Sequence, residues 1–350
     1  MTYTRASVTA AVTAVVTAAV TASVTAFAVT AAALIALPPA VVTLMAAVEY
    51  QAVANWLTLP PGRAQLGTMH GDIAVSSRGE VYVSVEDPQA GVQVYAPDGR
   101  FLRNVPNAPP DFHGFVIRRG PDGEFIYGAR LRGQEVLKLA LDGTVALTIP
   151  ASAIPDTFKV RNARSGQLAV LFTGVDVAAN GDIYVADGYA SDYIHRFDRG
   201  GKYVASFGGK GEPYKFNTLH KLAIDSRFTP ARIIGVDRAN NRVVHLSLDG
   251  QFLGVVAQEL LLPAAVVIDG EHAIIGELTG RVTILDKAGA VVARVGANTE
   301  TGVGTNRVPP EAWKTGLVLS PHGVAVNDRG DLFVSEFTTF GRVHRFNRRQ

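Results

Sequence analysis

The chain contains no cysteine among its 350 residues. This absence excludes disulfides, zinc–thiolate sites, iron–sulfur clusters, thiol catalysis and a Cys-anchored lipoprotein. The chain also lacks a charge excess of one sign, because 33 Lys and Arg against 31 Asp and Glu leave a net charge of +2. A nucleic-acid-binding protein usually carries a basic face or stripe. We therefore expect no nucleic-acid partner.

Charge is missing altogether between Arg5 and Glu49, and residues 8–37 are almost entirely Ala, Val and Thr. Thr and Val recur there every four residues, a period that suits a helix better than a strand. The run exceeds the roughly 20 residues needed to span a bilayer and the apolar region of about 7–15 residues in a signal peptide. The sequence therefore predicts that residues 1–48 form an apolar helical segment, with membrane attachment possible through residues 6–37.

Three interpretations of this segment stay open. It is an uncleaved signal or membrane anchor, a cleaved signal, or a start that does not belong to the native protein. Under the first two, the remainder of the chain lies outside the cytoplasm, as a secreted, periplasmic or membrane-anchored protein.

A helical period is also missing from residue 70 onward, where the sequence instead repeats itself every 50 residues or so. The clearest copy spans residues 173–208 and contains Asn180-Gly181 and Gly200-Gly201, dipeptides that strongly indicate hairpin turns. Each copy consists of four short apolar strands separated by turns. The copies begin near His70, His113, Thr173, His220, Ala264 and His322. Six four-stranded units predict an all-β fold, a six-bladed β-propeller.

The sixth unit reaches the end of the sequence after only three strands. We predict that residues around 50–57 supply the fourth strand, because this pairing joins the chain ends and removes an open sheet edge. The predicted propeller domain then spans residues 49–350.

Four of the eight histidines share the position that opens the first strand of a unit, at the mouth of the central channel: His70, His113, His220 and His322. Alternate blades of a six-bladed ring lie about 120° apart. The imidazoles of His113, His220 and His322 should therefore converge, as in a zinc-type site with positions open for water or substrate. His70 is a candidate extra ligand or a wall of the channel. The alternative is that repeats inherited a His for a turn role.

Other polar residues recur in predictable places. His195, His245 and His344 share a third-strand position away from the axis and are interpreted as structural. Acidic residues recur where the second strand ends, and they are interpreted as turn caps; they are Glu86, Asp87, Asp187, Asp237, Glu277 and Glu336. Tyr189, in the same kind of loop, is a candidate general base beside a divalent cation. Its alternative role is packing or ligand binding.

Three segments make the chain similar to a known family: the run from Ile183 to Asp225, the stretch VDRANNRVVHLSLDG, and SPHGVAV. They resemble NHL-type six-bladed propellers and, among these, the peptidyl-α-hydroxyglycine α-amidating lyases. The resemblance implies zinc held by His113, His220 and His322, with Tyr189 as base. It implies cleavage of a peptidyl-α-hydroxyglycine into a peptide amide and glyoxylate.

Two of the departures from that family's pattern concern the arginine and the calcium ligand. The lyases have an Arg at the end of a second strand in an early blade, where this chain has Val85-Glu86; Arg130 and Arg238 are the candidates to replace it. The lyases also have an Asp after the last metal His, serving calcium. Here that residue is Gly323, which weakens the case for calcium.

We therefore expect an enzyme dependent on zinc or another divalent transition metal. It would be lyase-like and act on a small molecule or peptide end at the channel mouth. The alternative is a non-enzymatic extracytoplasmic propeller that binds a ligand or protein. A calcium-dependent, lactonase-like propeller is the least favoured class, because the opening positions offer His, Thr and Ala rather than carboxylates.

Overall fold

A computed structural model describes residues 48–298 and 306–349. These residues belong to one compact unit. The predicted apolar helix lies, apart from Val48, outside the described residues. Among the described residues, no helix is long and apolar enough to cross a membrane.

The described residues form short strands that are rich in Val, Ile and Tyr, residue types that pack well on a pleated surface. In chain order the strands are β1 (Tyr50–Ala52), β2 (Ile73–Val75), β3 (Val81–Ser84), β4 (Val92–Tyr95), β5 (Phe101–Asn104), β6 (Phe112–Gly120), β7 (Gly123–Arg130), β8 (Glu135–Ala140), β9 (Val145–Pro150), β10 (Val160–Arg161), β11 (Leu168–Ala169), β12 (Gly174–Val177), β13 (Ile183–Ala186), β14 (Tyr193–Phe197), β15 (Tyr203–Gly208), β16 (Leu219–Asp225), β17 (Arg232–Asp237), β18 (Arg242–Ser247), β19 (Phe252–Ala257), β20 (Pro263–Asp269), β21 (His272–Glu277), β22 (Arg281–Leu285), β23 (Val291–Val295), β24 (Pro321–Val326), β25 (Leu332–Glu336) and β26 (Val343–Arg348). The helical elements are single 3₁₀ turns at Ala151–Ala153, Asp156–Phe158, Arg238–Asn240 and Pro310–Ala312.

The strands assemble into six antiparallel four-stranded sheets, which confirms the predicted six-bladed propeller. Blades one to five are β2–β5, β6–β9, β12–β15, β16–β19 and β20–β23, and blade six is β24–β26 completed by β1. The pair β10–β11 forms a separate hairpin in the long connection between blades two and three.

The ring closes as predicted, but the strand that completes blade six is shorter than expected. Tyr50 pairs with Arg348 and Ala52 with Phe346, so β1 is the fourth strand of blade six. The ladder ends at Ala52, one further backbone hydrogen bond joins the Val53 amide to the Arg345 carbonyl at 2.9 Å, and Trp56 packs against Phe333 with 5.2 Å between ring centroids. The two ends of the domain therefore cover the open edge of blade six.

The core lies between neighbouring blades. The cluster between blades two and three, for example, contains Val116, Val175 and Ile183. Each fully buried Val or Ile side chain contributes roughly 1.5–3 kcal/mol relative to its exposed state. The first strand of every blade faces the axis, and a small cavity there is lined by first-strand residues of all six blades.

The opening of the first strand is irregular in four blades, and this irregularity positions the site. The register of pairing shifts between Phe112 and Gly114, Leu219 and Lys221, Pro263 and Ala265, and Pro321 and Gly323. A β-bulge leaves one residue unpaired and re-aims its side chain. The residues set free in this way are His113, His220, Ala264 and His322.

Candidate metal centre at the channel mouth

The three histidines of blades two, four and six meet at the axis. Ring centroids are 4.9 Å apart for His113 and His220, 4.9 Å for His220 and His322, and 4.7 Å for His113 and His322. All three side chains are buried. The bulged first strands therefore bring together residues that lie about a hundred positions apart in sequence.

Each of these imidazoles is held by the neighbouring blade. The Nδ1 atom lies 2.8 Å from the Thr173 carbonyl in His113, 2.6 Å from the Ala264 carbonyl in His220, and 3.0 Å from the Gly71 carbonyl in His322. A carbonyl oxygen only accepts hydrogen bonds, so each Nδ1 carries the proton and each Nε2 keeps a lone pair. Even-numbered blades thus supply imidazoles, and odd-numbered blades supply the carbonyls that orient them.

Burial keeps these imidazoles neutral. It is the largest cause that lowers the pKa of His113, His220 and His322 well below the usual value. Neighbouring histidines lower the pKa of all three further, and Arg238 lowers that of His113 and His220. A neutral imidazole is the form that binds a metal ion. Protons therefore do not compete for these nitrogens near pH 7.

His70 joins the cluster from blade one. Its ring centroid lies 4.8 Å from those of both His113 and His322, and 4.5 Å from that of Phe337. Ligand nitrogens of His70, His113 and His322 all lie within 4.8 Å of one another. Burial, together with the charges of Arg238 and Arg132, lowers the pKa of His70 to about 4.

The equivalence of His70 with the other opening histidines needs a correction. In blade one, the Thr68 carbonyl accepts from the Glu86 amide and the Asp72 carbonyl accepts from the Ser84 amide. The interval from Thr68 to Asp72 is one residue longer than the matching interval in blade two, from Asp111 to Gly114. The extra residue is taken up at Met69–Gly71. The orienting carbonyl of blade one therefore belongs to Gly71, and His70 lies one residue before that place.

Tyr189 reaches into the same space from blade three. Its hydroxyl lies 3.0 Å from Nε2 of His220, 3.1 Å from Nε2 of His113 and 3.4 Å from Nε2 of His70. Arg238 donates a hydrogen bond from Nη1 to the same hydroxyl at 3.0 Å. Burial raises the pKa of the Tyr189 phenol, while Arg238 acts in the opposite direction.

The loop that carries Tyr189 depends on its glycine. A Cβ atom on Gly188 would lie 2.1 Å from the Leu219 carbonyl oxygen. Only a residue without a side chain allows blade three to approach blade four this closely. Asp187 fixes the loop further by accepting from the Leu171 amide at 2.6 Å and from the Ser191 hydroxyl at 2.5 Å.

The donor set contains more lone pairs than protons. The single Tyr189 O–H proton can satisfy only one of the Nε2 atoms of His113 and His220. The Nε2 atom of His322 is buried and has no hydrogen-bond partner among the described residues. Buried polar atoms in folded proteins are normally satisfied. A cation would satisfy these nitrogens together, so the residues present fit a metal ion.

Arg130 is not brought to this site. Its guanidinium donates to Asp111 at 2.8 Å and to Glu135 at 2.5 Å, an ion-pair network within blade two. Of the two arginines considered as replacements, Arg238 alone contacts Tyr189. Arg132, which the sequence analysis did not single out, lies near enough for its charge to affect His70.

Three of the recurring acids bind backbone amides that precede the first strand of their own blade, rather than capping the turn that follows them. Asp237 accepts from the Asn217 amide at 2.8 Å, Glu336 from the Leu319 amide at 2.5 Å, and Glu277 from the Leu261 amide. Each carboxylate thereby anchors the loop that leads into the first strand of its own blade.

The third-strand histidines have partners of their own. His245 Nε2 lies 2.9 Å from Asp225, His344 Nε2 lies 3.0 Å from Glu336, and His195 Nδ1 lies 2.7 Å from the Ser206 hydroxyl. These contacts are local to each blade, so this set makes structural contacts and does not converge.

A buried ion pair near the histidines was missed from the sequence. Lys221, directly after His220, bonds through its ammonium group to the Asp72 carboxylate. An added Cβ on Gly323 would lie 2.5 Å from Asp72 Oδ1, so the place that follows the last histidine is occupied by this carboxylate. Lys221 was a detectable signal, because Gly or Ala stands at the matching position of blades two, three, five and six.

No family model and no curated protein matches the chain. Among solved structures, a streptogramin B lyase superposes with a TM-score of 0.54 and 14% identity, covering 87% of this chain and 98% of that one. A virginiamycin B lyase from Staphylococcus aureus gives a TM-score of 0.50 and 14% identity over 86% of this chain and 88% of that one. A proposed gluconolactonase gives a TM-score of 0.54 and 13% identity, with 86% and 98% covered.

At such low identity these similarities show the fold and no more. The resemblance to amidating lyases remains a prediction. What the comparisons establish is that this chain is a six-bladed β-propeller with lyase and lactonase structures among its structural neighbours.

Proposed function

We propose that the channel mouth is a zinc-type metal centre held by His113, His220 and His322, with His70 at its side. The observation that carries this proposal is the surplus of lone pairs. The Nδ1 atoms of the three histidines are committed to backbone carbonyls. Their Nε2 atoms are then left with too few protons to pair, because the Tyr189 hydroxyl serves only one of His113 and His220 and no donor among the described residues reaches His322. Three imidazoles with room for a further ligand are typical of catalytic zinc.

We further propose a lyase-like reaction on a small molecule or peptide end, of the kind catalysed by the amidating lyases. The metal ion, when bound, supplies Lewis-acid polarisation of a substrate oxygen. Tyr189 Oη would take a proton from a substrate hydroxyl. Arg238, which donates to Tyr189 Oη at 3.0 Å, favours the phenolate form that can accept that proton.

For a peptidyl-α-hydroxyglycine, the balance of the step is simple. The hydroxyl proton goes to Tyr189, the carbon–oxygen bond becomes a carbonyl, and the carbon–nitrogen bond breaks. The leaving amide nitrogen takes up that proton from the Tyr189 hydroxyl, so the products are a peptide amide and glyoxylate and Tyr189 returns to its starting form.

The metal centre is tested by plasma mass spectrometry on the full chain after reloading with zinc. We expect about one equivalent in the wild-type protein and none in the triple variant His113→Ala, His220→Ala, His322→Ala. His272→Ala is the matched control, because this histidine opens β21 away from the centre, and it should retain the metal. A metal-free wild-type protein, or a triple variant that keeps its metal, would overturn the centre.

The reaction is tested separately on the zinc-loaded protein with a peptidyl-α-hydroxyglycine, by measuring glyoxylate release. Turnover that Tyr189→Phe removes would support the lyase. A metal-loaded wild-type protein without turnover would overturn the lyase and favour the non-enzymatic binding propeller.

A further inference from the structure

The Lys221–Asp72 ion pair spans the central channel. It joins β16 of blade four to the start of blade one, and these blades are opposite each other in a six-bladed ring. The side chains of Lys221 and Asp72 are only 5% and 2% exposed. The pair is therefore an internal crosslink between strands that do not pair with each other.

The surrounding strands are built to accommodate this pair. An added Cβ on Gly174 would meet Lys221 Cα at 3.1 Å and Cγ at 3.2 Å, and one on Gly323 would meet Asp72 Oδ1 at 2.5 Å. Asp72 also accepts from the amides of Ile73 at 2.9 Å and Phe115 at 3.3 Å. The carboxylate is thus fixed by blades one, two and four together.

Each residue of the ion pair directly follows a residue that belongs to the histidine cluster or orients one of its rings. Lys221 follows His220. Asp72 follows Gly71, whose carbonyl orients His322 through Nδ1 at 3.0 Å. A displacement of the pair would therefore move two of the three histidines relative to each other.

Stability alone is a poor reason for such a pair. Desolvation of two charges often offsets their attraction, and apolar replacements of buried pairs are frequently neutral or stabilising. Groups that hold metal ligands in place, by contrast, typically change metal affinity about 10- to 100-fold when they are removed.

We propose that Lys221 and Asp72 are positioning residues for the metal centre, which hold His220 and His322 in register across the channel and balance the buried charge beside the cation. This inference rests on the proposed metal centre. The charges of the two residues predict which substitution weakens metal binding more. The loss of Asp72 leaves an ammonium group that repels a divalent cation, whereas the loss of Lys221 leaves a carboxylate that attracts one.

The test measures the affinity of the full chain for Zn²⁺ and Co²⁺ by chelator competition, together with the visible spectrum of the Co²⁺ form. We expect Asp72→Asn to weaken binding about 10- to 100-fold and to change the Co²⁺ spectrum. We expect a smaller loss in Lys221→Met, because lost positioning is partly offset by the remaining carboxylate.

The matched control is Asp176→Asn. Asp176 is equally buried and paired with Arg118, at 2.7 Å and 3.0 Å, farther along the channel strands. It should lower thermal stability without changing metal affinity or the Co²⁺ spectrum. If Asp72→Asn does not fold, the double variant Asp72→Asn, Lys221→Met takes its place and should still bind more weakly than the wild-type protein.

The outcomes are distinguishable. A wild-type protein that binds neither metal overturns the proposed centre and this inference with it. A wild-type protein that binds metal, with Asp72→Asn or the double variant showing unchanged affinity and spectrum, overturns this inference alone and leaves the pair a stabilising crosslink.

Discussion

The propeller contains two sets of three histidines, each at one repeat position, and the two sets differ in whether their rings converge. A buried nitrogen without a partner among the described residues occurs in both sets, at His195 Nε2 and His322 Nε2. On the third strands, His245 and His344 each lie about one hydrogen-bond length from a carboxylate, at 2.9 Å and 3.0 Å. At the channel, the rings of His113, His220 and His322 face one another at 4.7–4.9 Å. Repetition alone therefore does not mark a site. Convergence of unprotonated nitrogens on the axis does.

The distinction between the two sets is tested most directly by removing one histidine from each set. His322→Ala should abolish stoichiometric zinc binding and also cost stability, because it removes a buried ring and the Nδ1 partner of the Gly71 carbonyl. His245→Ala should keep the zinc and lower the free energy of unfolding by about 1–3 kcal/mol, because it leaves Asp225 without its imidazole partner. Metal content and urea unfolding of both variants check this. Equal effects of the two substitutions on zinc content would contradict the distinction.

A substitution at Tyr189 tests the channel set further, because the Tyr189 hydroxyl contacts histidines of the channel cluster. Tyr189→Phe should lower the rate of the proposed lyase by about 10²- to 10⁴-fold, the usual contribution of a positioned general base. Zinc content should be unchanged. Tyr203→Phe is a matched control, since that hydroxyl contacts Ser206 beside His195. A Tyr189→Phe enzyme with the wild-type rate would exclude the base role.

The two regions should also respond to acid in different windows. Burial lowers the pKa of His70 to about 4 in the folded protein, so between about pH 4 and 6.5 the unfolded chain binds more protons. This contribution to stability is complete above pH 6.5 and is lost as the pH falls through that window. Hydrogen bonds from Arg227 and His245 hold the pKa of Asp225 well below its usual 3.8, against the effect of burial. Its contribution is therefore lost only below about pH 4.

Urea unfolding of the metal-free protein between pH 3 and 8 checks these windows. His70→Gln should reduce the slope between about pH 4 and 6.5 by the share of one histidine, because the lowered pKa values of His113, His220 and His322 still make the unfolded chain bind more protons below pH 6.5. An unchanged profile would show that the imidazole of His70 titrates in the folded protein as it does in the unfolded chain.

The smallest effect concerns the glycines that let the channel strands approach each other. Gly323→Ala would place a Cβ 2.5 Å from Asp72 Oδ1 and 2.6 Å from Ser335 Oγ. Overpacking of this kind should cost about 1–3 kcal/mol. Gly120→Ala, where no atom lies within 4 Å, should stay within about 0.5 kcal/mol of the wild-type stability. Indistinguishable urea midpoints of the two variants would show that the channel strands move apart enough to accommodate the added methyl group.

Much of this architecture was predictable from local pattern. The turn dipeptides and four-strand units predicted six blades, and the incomplete last unit predicted that β1 would complete it, as it does from Tyr50 to Ala52. The convergence of His113, His220 and His322 followed from their shared position in alternate units. These features depend on repetition, which is a property of the sequence itself.

Features that depend on the register between strands were not predictable in the same way. The extra residue before Asp72 displaces His70 from its expected equivalence, and it is visible only in the pairing of β2 with β3. The choice between Arg130 and Arg238 depended on which acids lay nearby, and Asp111 and Glu135 hold Arg130. Neither partner is marked by its own local sequence.

The sequence by itself determined the number of blades, the closure of the ring and the three histidines that line the axis, because periodic strands and turns are encoded locally. Only the tertiary structure decided which nitrogens are free, which arginine meets Tyr189 and that Lys221 meets Asp72 across 149 residues of chain. Those outcomes are set by distances of a few ångströms between separate blades, and the ring fixes such distances only once it has closed.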